Sequence, residues 1–109
     1  MLKKFLLVSL LINFSVFAYS GDYKSYLENR CINNNEGWAC NTLGWIYLYD
    51  YPRDVQKALQ FFKNGCDLNF SYACGGLGYI YKYEFKDREK ALKFLKKACS
   101  LGDKWAESS

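Results

Sequence analysis

The chain has 109 residues, contains no histidine and carries a formal net charge of +4. Without an imidazole, a histidine general base and a histidine-ligated metal are excluded. The net charge drops to about +2 when the first 20 residues, which hold two lysines and no acids, are set aside. The rest of the chain is therefore nearly neutral, which gives no reason to expect nucleic acid as a partner.

Residues 1–20 have the layout of a secretory signal peptide. Two lysines precede an uncharged apolar run over residues 5–17, and small residues follow at Ala18 and Ser20. The run is short for a membrane span, and we expect cleavage after Ala18 or Ser20, with no stable span in the mature chain. An uncleaved, membrane-anchoring N-terminus is the alternative. The predicted location is secreted or periplasmic, where the five cysteines can pair.

The rest of the chain repeats with a period of about 34 residues. Leu43-Gly44 aligns with Leu77-Gly78, and Tyr47 aligns with Tyr81. The second halves align as well, through the segments K-A-L-Q-F-F and K-A-L-K-F-L and the cysteines that follow them. Such self-similarity indicates stacked helical hairpins, because one hairpin cannot bury its own apolar face.

The predicted fold is an all-α, right-handed solenoid of about five helices. A leading half-repeat carries one helix at about 22–32, which ends in an asparagine-rich turn. Each full repeat then carries two helices, and Asp54 is placed to cap the second helix of the first repeat. The predicted units of the repeat domain, residues 21–109, are the half-repeat 22–36, the repeats 37–70 and 71–103, and a stub at 104–109. The predicted helices of the repeats are 38–49, a second that starts within residues 51–54 and ends at about 66, and then 71–83 and 87–100. Pro52 is expected near the first turn of the second helix.

Small and large residues alternate in the predicted hairpin core. Gly44 costs about 1 kcal/mol of helix propensity, which is usually accepted where a neighbouring helix must approach closely. Ala58 offers a second small contact surface, and Phe61 and Phe62 fill the core. On the last helix we expect a solvated face rather than a ligand-binding patch at four lysines, which are Lys90, Lys93, Lys96 and Lys97.

The patterns A-C-x-x-L-G-x-x-Y and K-A-L-x-F-x-K-x-x-C-x-L each occur twice. Together they resemble the Sel-1-like repeats, which are related to tetratricopeptide repeats, and within them the cysteine-rich secreted Hcp-type proteins. The resemblance covers about residues 23–107. One departure is that the Hcp-type loop between the two helices usually carries a G-x-G-V-x-x-D segment. Residues 48–54 and 82–87 are shorter and contain no glycine, which puts in doubt any function that relatives place there.

The cysteine spacing predicts two disulfides. Cys31 and Cys40, like Cys66 and Cys74, stand on either side of a tight turn between two helices, within the reach that a disulfide needs. Each bond is expected to contribute about 2.5 kcal/mol to stability. The alternative for clustered cysteines is a zinc site, but the chain has neither histidine nor a C-x-x-C pair, so no metal is expected.

Cys99 is expected to keep its thiol, because the position where the repeat would place its partner holds Glu107. The missing partner is compatible with a natural short form or a truncated gene, and we favour truncation. We expect the Cys99 thiol to be partly exposed and to form an intermolecular disulfide slowly in air. The competing expectation is that Cys99 is buried against Tyr72 or Trp105.

No catalytic residue or cofactor is predicted. The chain lacks an S-x-x-K motif and a glycine-rich phosphate loop, and its carboxylates form no convincing acid and base pair. Hcp-type relatives are commonly described as penicillin-binding proteins with weak β-lactamase activity. The resemblance therefore implies a β-lactam hydrolase as the alternative function, although no residue of this sequence provides a mechanism for it.

The preferred function is protein or peptide binding, with peptidoglycan fragments as another conceivable ligand. If the helix faces follow the tetratricopeptide pattern, the first helices line a concave groove with aromatic, amide and lysine side chains, which suit peptide recognition. The alternative is that these aromatic residues pack between repeats as core. The predicted lining residues are Asn41, Trp45, Leu48, Tyr49, Gly75, Tyr79, Lys82 and Tyr83.

Overall fold

The computed structural model describes residues 22–102, which form five α-helices and no strand. The helices are α1 (Tyr23–Ile32), α2 (Gly37–Tyr49), α3 (Val55–Asp67), α4 (Ser71–Tyr83) and α5 (Arg88–Ser100). The predicted all-α repeat fold is thereby confirmed. The predicted signal peptide and the stub at 104–109 lie outside the described residues. Within those residues, no helix combines the length and the apolar character that crossing a membrane requires.

The helices pack as two hairpins preceded by a single helix. The most extensive contacts join α2 to α3 and α4 to α5, and α3 contacts α4, which links the hairpins. Helix α1 packs mainly on α2. The first helices of the two repeats, α2 and α4, also contact each other, so they form one continuous side of the molecule.

Local sequence explains where the second helices begin and where the turns lie. The Asp54 carboxylate accepts a hydrogen bond from the backbone N–H of Lys57 at 3.0 Å, and Asp87 accepts one from Lys90 at 3.1 Å. Such N-caps satisfy an N–H that has no partner within the helix. The turns that precede α2 and α4 place Asn35 and Asn69 at φ 54° and 62°, a region that asparagine tolerates better than most residues.

The core is built where an aromatic ring meets glycine. Phe62 on α3 is completely buried, and its ring lies between Gly44 on α2 and Gly76 on α4. A Cβ atom would lie 2.5 Å from this ring at Gly44 and 2.4 Å from it at Gly76, so neither position admits a side chain without movement. In the second hairpin, Leu95 meets Gly78 in the same way, with a Cβ at 2.7 Å.

Two disulfides fasten successive units together. Cys31 on α1 is bonded to Cys40 on α2, and Cys66 on α3 is bonded to Cys74 on α4, with Cα atoms 4.8 and 4.6 Å apart. Both predicted pairs are confirmed. Cys99 keeps its thiol in a half-buried position near the end of α5.

The lysines of α5 are more involved in packing than the predicted solvated face implied. Lys97 is half-buried, and its ammonium group donates a hydrogen bond to the backbone carbonyl of Cys66 at 3.1 Å. The expectation that Lys97 faces solvent is therefore wrong, because its long side chain reaches the end of α3. Lys90 and Lys93 are exposed, but each ammonium group also lies over an aromatic ring.

Candidate functional site

Four aromatic side chains of the two first helices meet in one cluster, which we call the aromatic surface: Trp45 and Tyr49 on α2, and Tyr79 and Tyr83 on α4. Within each helix the two residues are four positions apart, so they share a face. The Trp45 ring stacks on Tyr49 at 5.8 Å and meets the edge of Tyr79 at 5.4 Å. Tyr79 in turn contacts Tyr83 at 4.8 Å. The cluster therefore crosses from one repeat to the next.

Hydroxyl groups connect the two helices at this cluster. The Tyr49 hydroxyl donates to that of Tyr79 at 2.9 Å, and this bond, followed by burial, raises the pKa of Tyr49. Tyr49 and Tyr83 nevertheless remain 64% and 50% exposed. Trp45 is half-buried and packs edge-on against Phe62 at 4.9 Å. Trp45 thus belongs partly to the core, whereas the two exposed tyrosines are open to a ligand.

An ion pair borders the aromatic surface. The Arg53 guanidinium donates to the backbone carbonyl of Leu48 at 2.9 Å and also pairs with the Glu84 carboxylate just after α4. An exposed pair of this kind contributes little to stability. Its effect is positional, because it holds the loop after α2 against the end of α4, next to Tyr49 and Tyr83.

Asn41 lies one helical turn before Trp45 and has an unsatisfied acceptor. Its Oδ1 atom is buried and accepts no hydrogen bond from any group in residues 22–102. A buried acceptor without a donor carries an energetic cost. At the other end of the cluster, the Lys82 ammonium group lies 5.2 Å from the centre of the Tyr83 ring and is exposed.

Two of the predicted lining residues do not face a groove. Leu48 is 0% exposed and belongs to the core, together with Ala58 and Phe62. One residue along a helix turns the side chain by about 100°, so Leu48 points toward α3 although its neighbour Tyr49 points outward. Gly75 is also buried. The prediction is corrected at both positions.

Two further aromatic residues continue the same helix faces and were not predicted as lining. Trp38 and Tyr72 stand seven residues before Trp45 and Tyr79, and they are 41% and 60% exposed. A spacing of seven returns to nearly the same face of a helix after two turns. This signal was present in the sequence as the shared aromatic-Ala-Cys motif at the start of each repeat.

The Sel1 repeat family matches the chain twice, over residues 39–70 and 71–103, which together make up more than half of its length. The chain belongs to the Sel1 repeat family. Such repeats generally mediate protein–protein interactions, so the fold is that of an interaction module.

The chain is also similar to a cysteine-rich protein of known structure. The chain resembles Helicobacter pylori cysteine rich protein B (hcpB), with 31% sequence identity and a TM-score of 0.69. The match covers 78% of this chain and 67% of the other. The Hcp-type resemblance is thereby confirmed, and it is consistent, like the disulfides, with an extracellular or periplasmic protein. No curated protein gives a significant match. Neither the family match nor the structural match supports the β-lactamase alternative.

Proposed function

We propose that this Sel1 repeat protein is exported and binds segments of partner polypeptides on its aromatic surface. The observation that carries the proposal is the cluster of Trp45, Tyr49, Tyr79 and Tyr83, which spans both repeats and leaves two tyrosine rings open. Aromatic side chains offer a large contact area with few rotatable bonds, so they lose little entropy on binding.

The polar groups at this surface suit a peptide. The tyrosine hydroxyls can exchange hydrogen bonds with a peptide group. Lys82 adds a cation at the edge. We expect the preferred segment to place apolar or aromatic side chains on the rings.

Selection followed by affinity measurement tests this function. Peptides are selected from a display library on the folded, oxidised protein, and the affinity of one is measured by calorimetry. We expect the double variant Tyr49→Ala, Tyr83→Ala to weaken binding at least about tenfold, because central aromatic contacts carry much of an interface's energy. Leu92→Ala is the matched control, since it also removes an exposed apolar side chain, but from α5.

Three outcomes would contradict the proposal. One is full affinity in the double tyrosine variant, and another is an equal loss in Leu92→Ala. The third is selection of no saturable peptide, with peptidoglycan fragments binding instead.

Export is tested separately. The complete chain is expressed in a host with a periplasm, and the mass of the recovered protein is determined. Protein that begins at Tyr19 or Gly21 in the periplasmic fraction or the medium is expected from the composition of residues 1–20. Full-length protein retained in the membrane fraction would favour the anchored alternative.

A further inference from the structure

A second concavity lies away from the aromatic surface, between the second helices of the two repeats. Its volume is about 490 Å³, within the range of ligand-binding pockets. Tyr81 lines it and stands two residues from both Tyr79 and Tyr83, so it points to the other side of α4. We call this concavity the outer pocket. Its lining residues are Asp54, Gln56, Lys57, Leu59, Gln60, Lys63, Leu77, Tyr81 and Phe94.

The floor of the outer pocket repeats an arrangement found one repeat earlier. Tyr81 stacks on Phe94 with ring centres 5.6 Å apart and planes inclined by 9°. In the first repeat, Tyr47 stacks on Phe61 at 5.6 Å and 7°. A lysine ammonium group lies over each tyrosine ring as well, at 5.2 Å for Tyr47 and 5.4 Å for Tyr81. The two tyrosines therefore share a stacked phenylalanine and one ammonium group, and a second ammonium group, that of Lys24, lies over Tyr47 at 5.1 Å.

The two sites differ in what meets the tyrosine hydroxyl. The Tyr47 hydroxyl donates to the carboxylate of Glu28 on α1 at 2.9 Å. Glu28 stands three residues before Cys31, and the residue three before Cys66 on α3 is Lys63. Accordingly, within residues 22–102 no group accepts a hydrogen bond from the Tyr81 hydroxyl. An ammonium group has replaced the carboxylate.

Charge around the outer pocket is predominantly positive. Lys57 and Lys63 line it, and the ammonium group of Lys93 lies 5.5 Å from the centre of the Phe94 ring. The acidic lining residue is Asp54, whose carboxylate already accepts the N-cap hydrogen bond at the start of α3. The surroundings of the Tyr81 hydroxyl therefore favour an anion.

We propose that the outer pocket binds an acidic side chain of a partner polypeptide, with an apolar residue of the same segment lying on its floor. The ligand carboxylate accepts from the Tyr81 hydroxyl, as Glu28 does from Tyr47, and Lys63 neutralises its charge. The apolar neighbour contacts Leu59, Leu77 and Phe94. The contact between Glu28 and Tyr47 is thus an internal example of the interaction that a partner makes at the second repeat.

A pair of short peptides tests the carboxylate requirement. Acetyl-Glu-Phe-Glu-amide and its counterpart with glutamine at both ends are titrated into the oxidised protein, and the amide NMR spectrum is followed. We expect saturable shifts around Lys63, Tyr81 and Phe94 with the glutamate peptide. The glutamine peptide should bind about tenfold more weakly, the usual effect of a hydrogen bond to a charged group.

Substitutions test the proposed roles. Tyr81→Phe should weaken the glutamate peptide about tenfold, whereas Tyr47→Phe, which removes the equivalent hydroxyl of the first repeat, should leave its affinity unchanged. Lys63→Glu restores the internal carboxylate and should abolish binding. Lys63 is exposed, and the amide spectrum itself reports whether each variant is folded.

Several results would overturn the proposal. They are equal binding of the two peptides, wild-type affinity in Tyr81→Phe or Lys63→Glu, and the absence of saturable shifts at the outer pocket with the glutamate peptide.

Discussion

In both hairpins a large apolar side chain of the second helix packs against glycine, but the two side chains are buried to different extents. In the first, Phe62 lies between glycines of both first helices and is 0% exposed. In the second, Leu95 meets Gly78 alone among the glycines and is 6% exposed. The contacts of Phe62 show that α3 is buried partly by its own hairpin and partly by the repeat that follows. The exposed side chains can differ between the repeats while the packing of an apolar side chain against glycine is retained.

The largest expected difference between the hairpins comes from truncating these two residues. Phe62→Ala should lower the free energy of unfolding by about 4 kcal/mol, because it leaves a cavity between two helices that glycines cannot fill. Leu95→Ala should cost about 2 kcal/mol, since fewer atoms are removed from a less enclosed site. Urea unfolding of both variants checks the comparison. Equal losses would show that the second hairpin is enclosed as fully as the first.

The two disulfides should contribute similarly to the free energy of unfolding, although they join different units. Replacing Cys66 and Cys74 together by serine should lower the free energy of unfolding by about 2.5 kcal/mol. The same change at Cys31 and Cys40 should cost nearly as much, since the two bonds span sequence separations of 8 and 9. Thermal or urea unfolding of both double variants measures this. A much smaller loss for one pair would mean that packing alone holds that junction.

Adding a methyl group at Gly44 or at Gly78 tests the packing of each hairpin in a second way. Gly44→Ala should destabilise by about 1.5 kcal/mol, because the new Cβ meets the confined ring of Phe62. Combining it with Phe62→Leu should make the added methyl group much less costly, and a double-mutant cycle measures that coupling. Gly78→Ala should also destabilise, because its Cβ would lie 2.7 Å from Cγ and Cδ2 of Leu95 and 3.3 Å from the backbone carbonyl oxygen of Ala91. Additive effects of Gly44→Ala and Phe62→Leu would refute direct contact as the cause.

The smallest expected effect concerns Tyr47. Burial, followed by the hydrogen bond to Glu28, raises the pKa of Tyr47 from its ordinary 10.0 to about 12. Because the folded state holds this proton more tightly, the resulting stabilisation is complete below about pH 10 and is lost as the pH rises toward 12. Glu28→Gln should lower the pKa but leave it above 10, since burial remains. Carbon NMR of labelled tyrosine measures this, and an unchanged pKa would contradict a role for Glu28.

The repeat register and the disulfides could be predicted from the sequence because they rest on residue types with few alternatives. Glycine and alanine mark where helices approach, and a cysteine on each side of a tight turn leaves little choice of partner. Most helix ends could be predicted as well, but Pro52, expected near the first turn of the second helix, precedes α3, which begins at Val55. The expected helix at 87–100 begins one residue later, with Asp87 as its N-cap.

The binding surface was only partly predictable. Tyr49 and Leu48 are neighbours, and sequence pattern alone could not decide which of them turns into the core, because the equivalent of Leu48 in the second repeat is the exposed Lys82. The contact of Tyr47 with Glu28 joins two helices whose relative placement is a tertiary property. The outer pocket also depends on how helices are placed relative to one another, so no single sequence motif predicts it.

The amide NMR spectrum, recorded with and without a selected peptide that contains no acidic residue, tests most directly where this protein binds its partners. We expect the perturbed amides to cluster on α2 and α4, around Asn41, Trp45, Tyr49 and Tyr79, because the aromatic surface spans these two helices. Perturbations confined to α3 and α5, or spread without a focus over residues 22–102, would contradict a binding function for the aromatic surface.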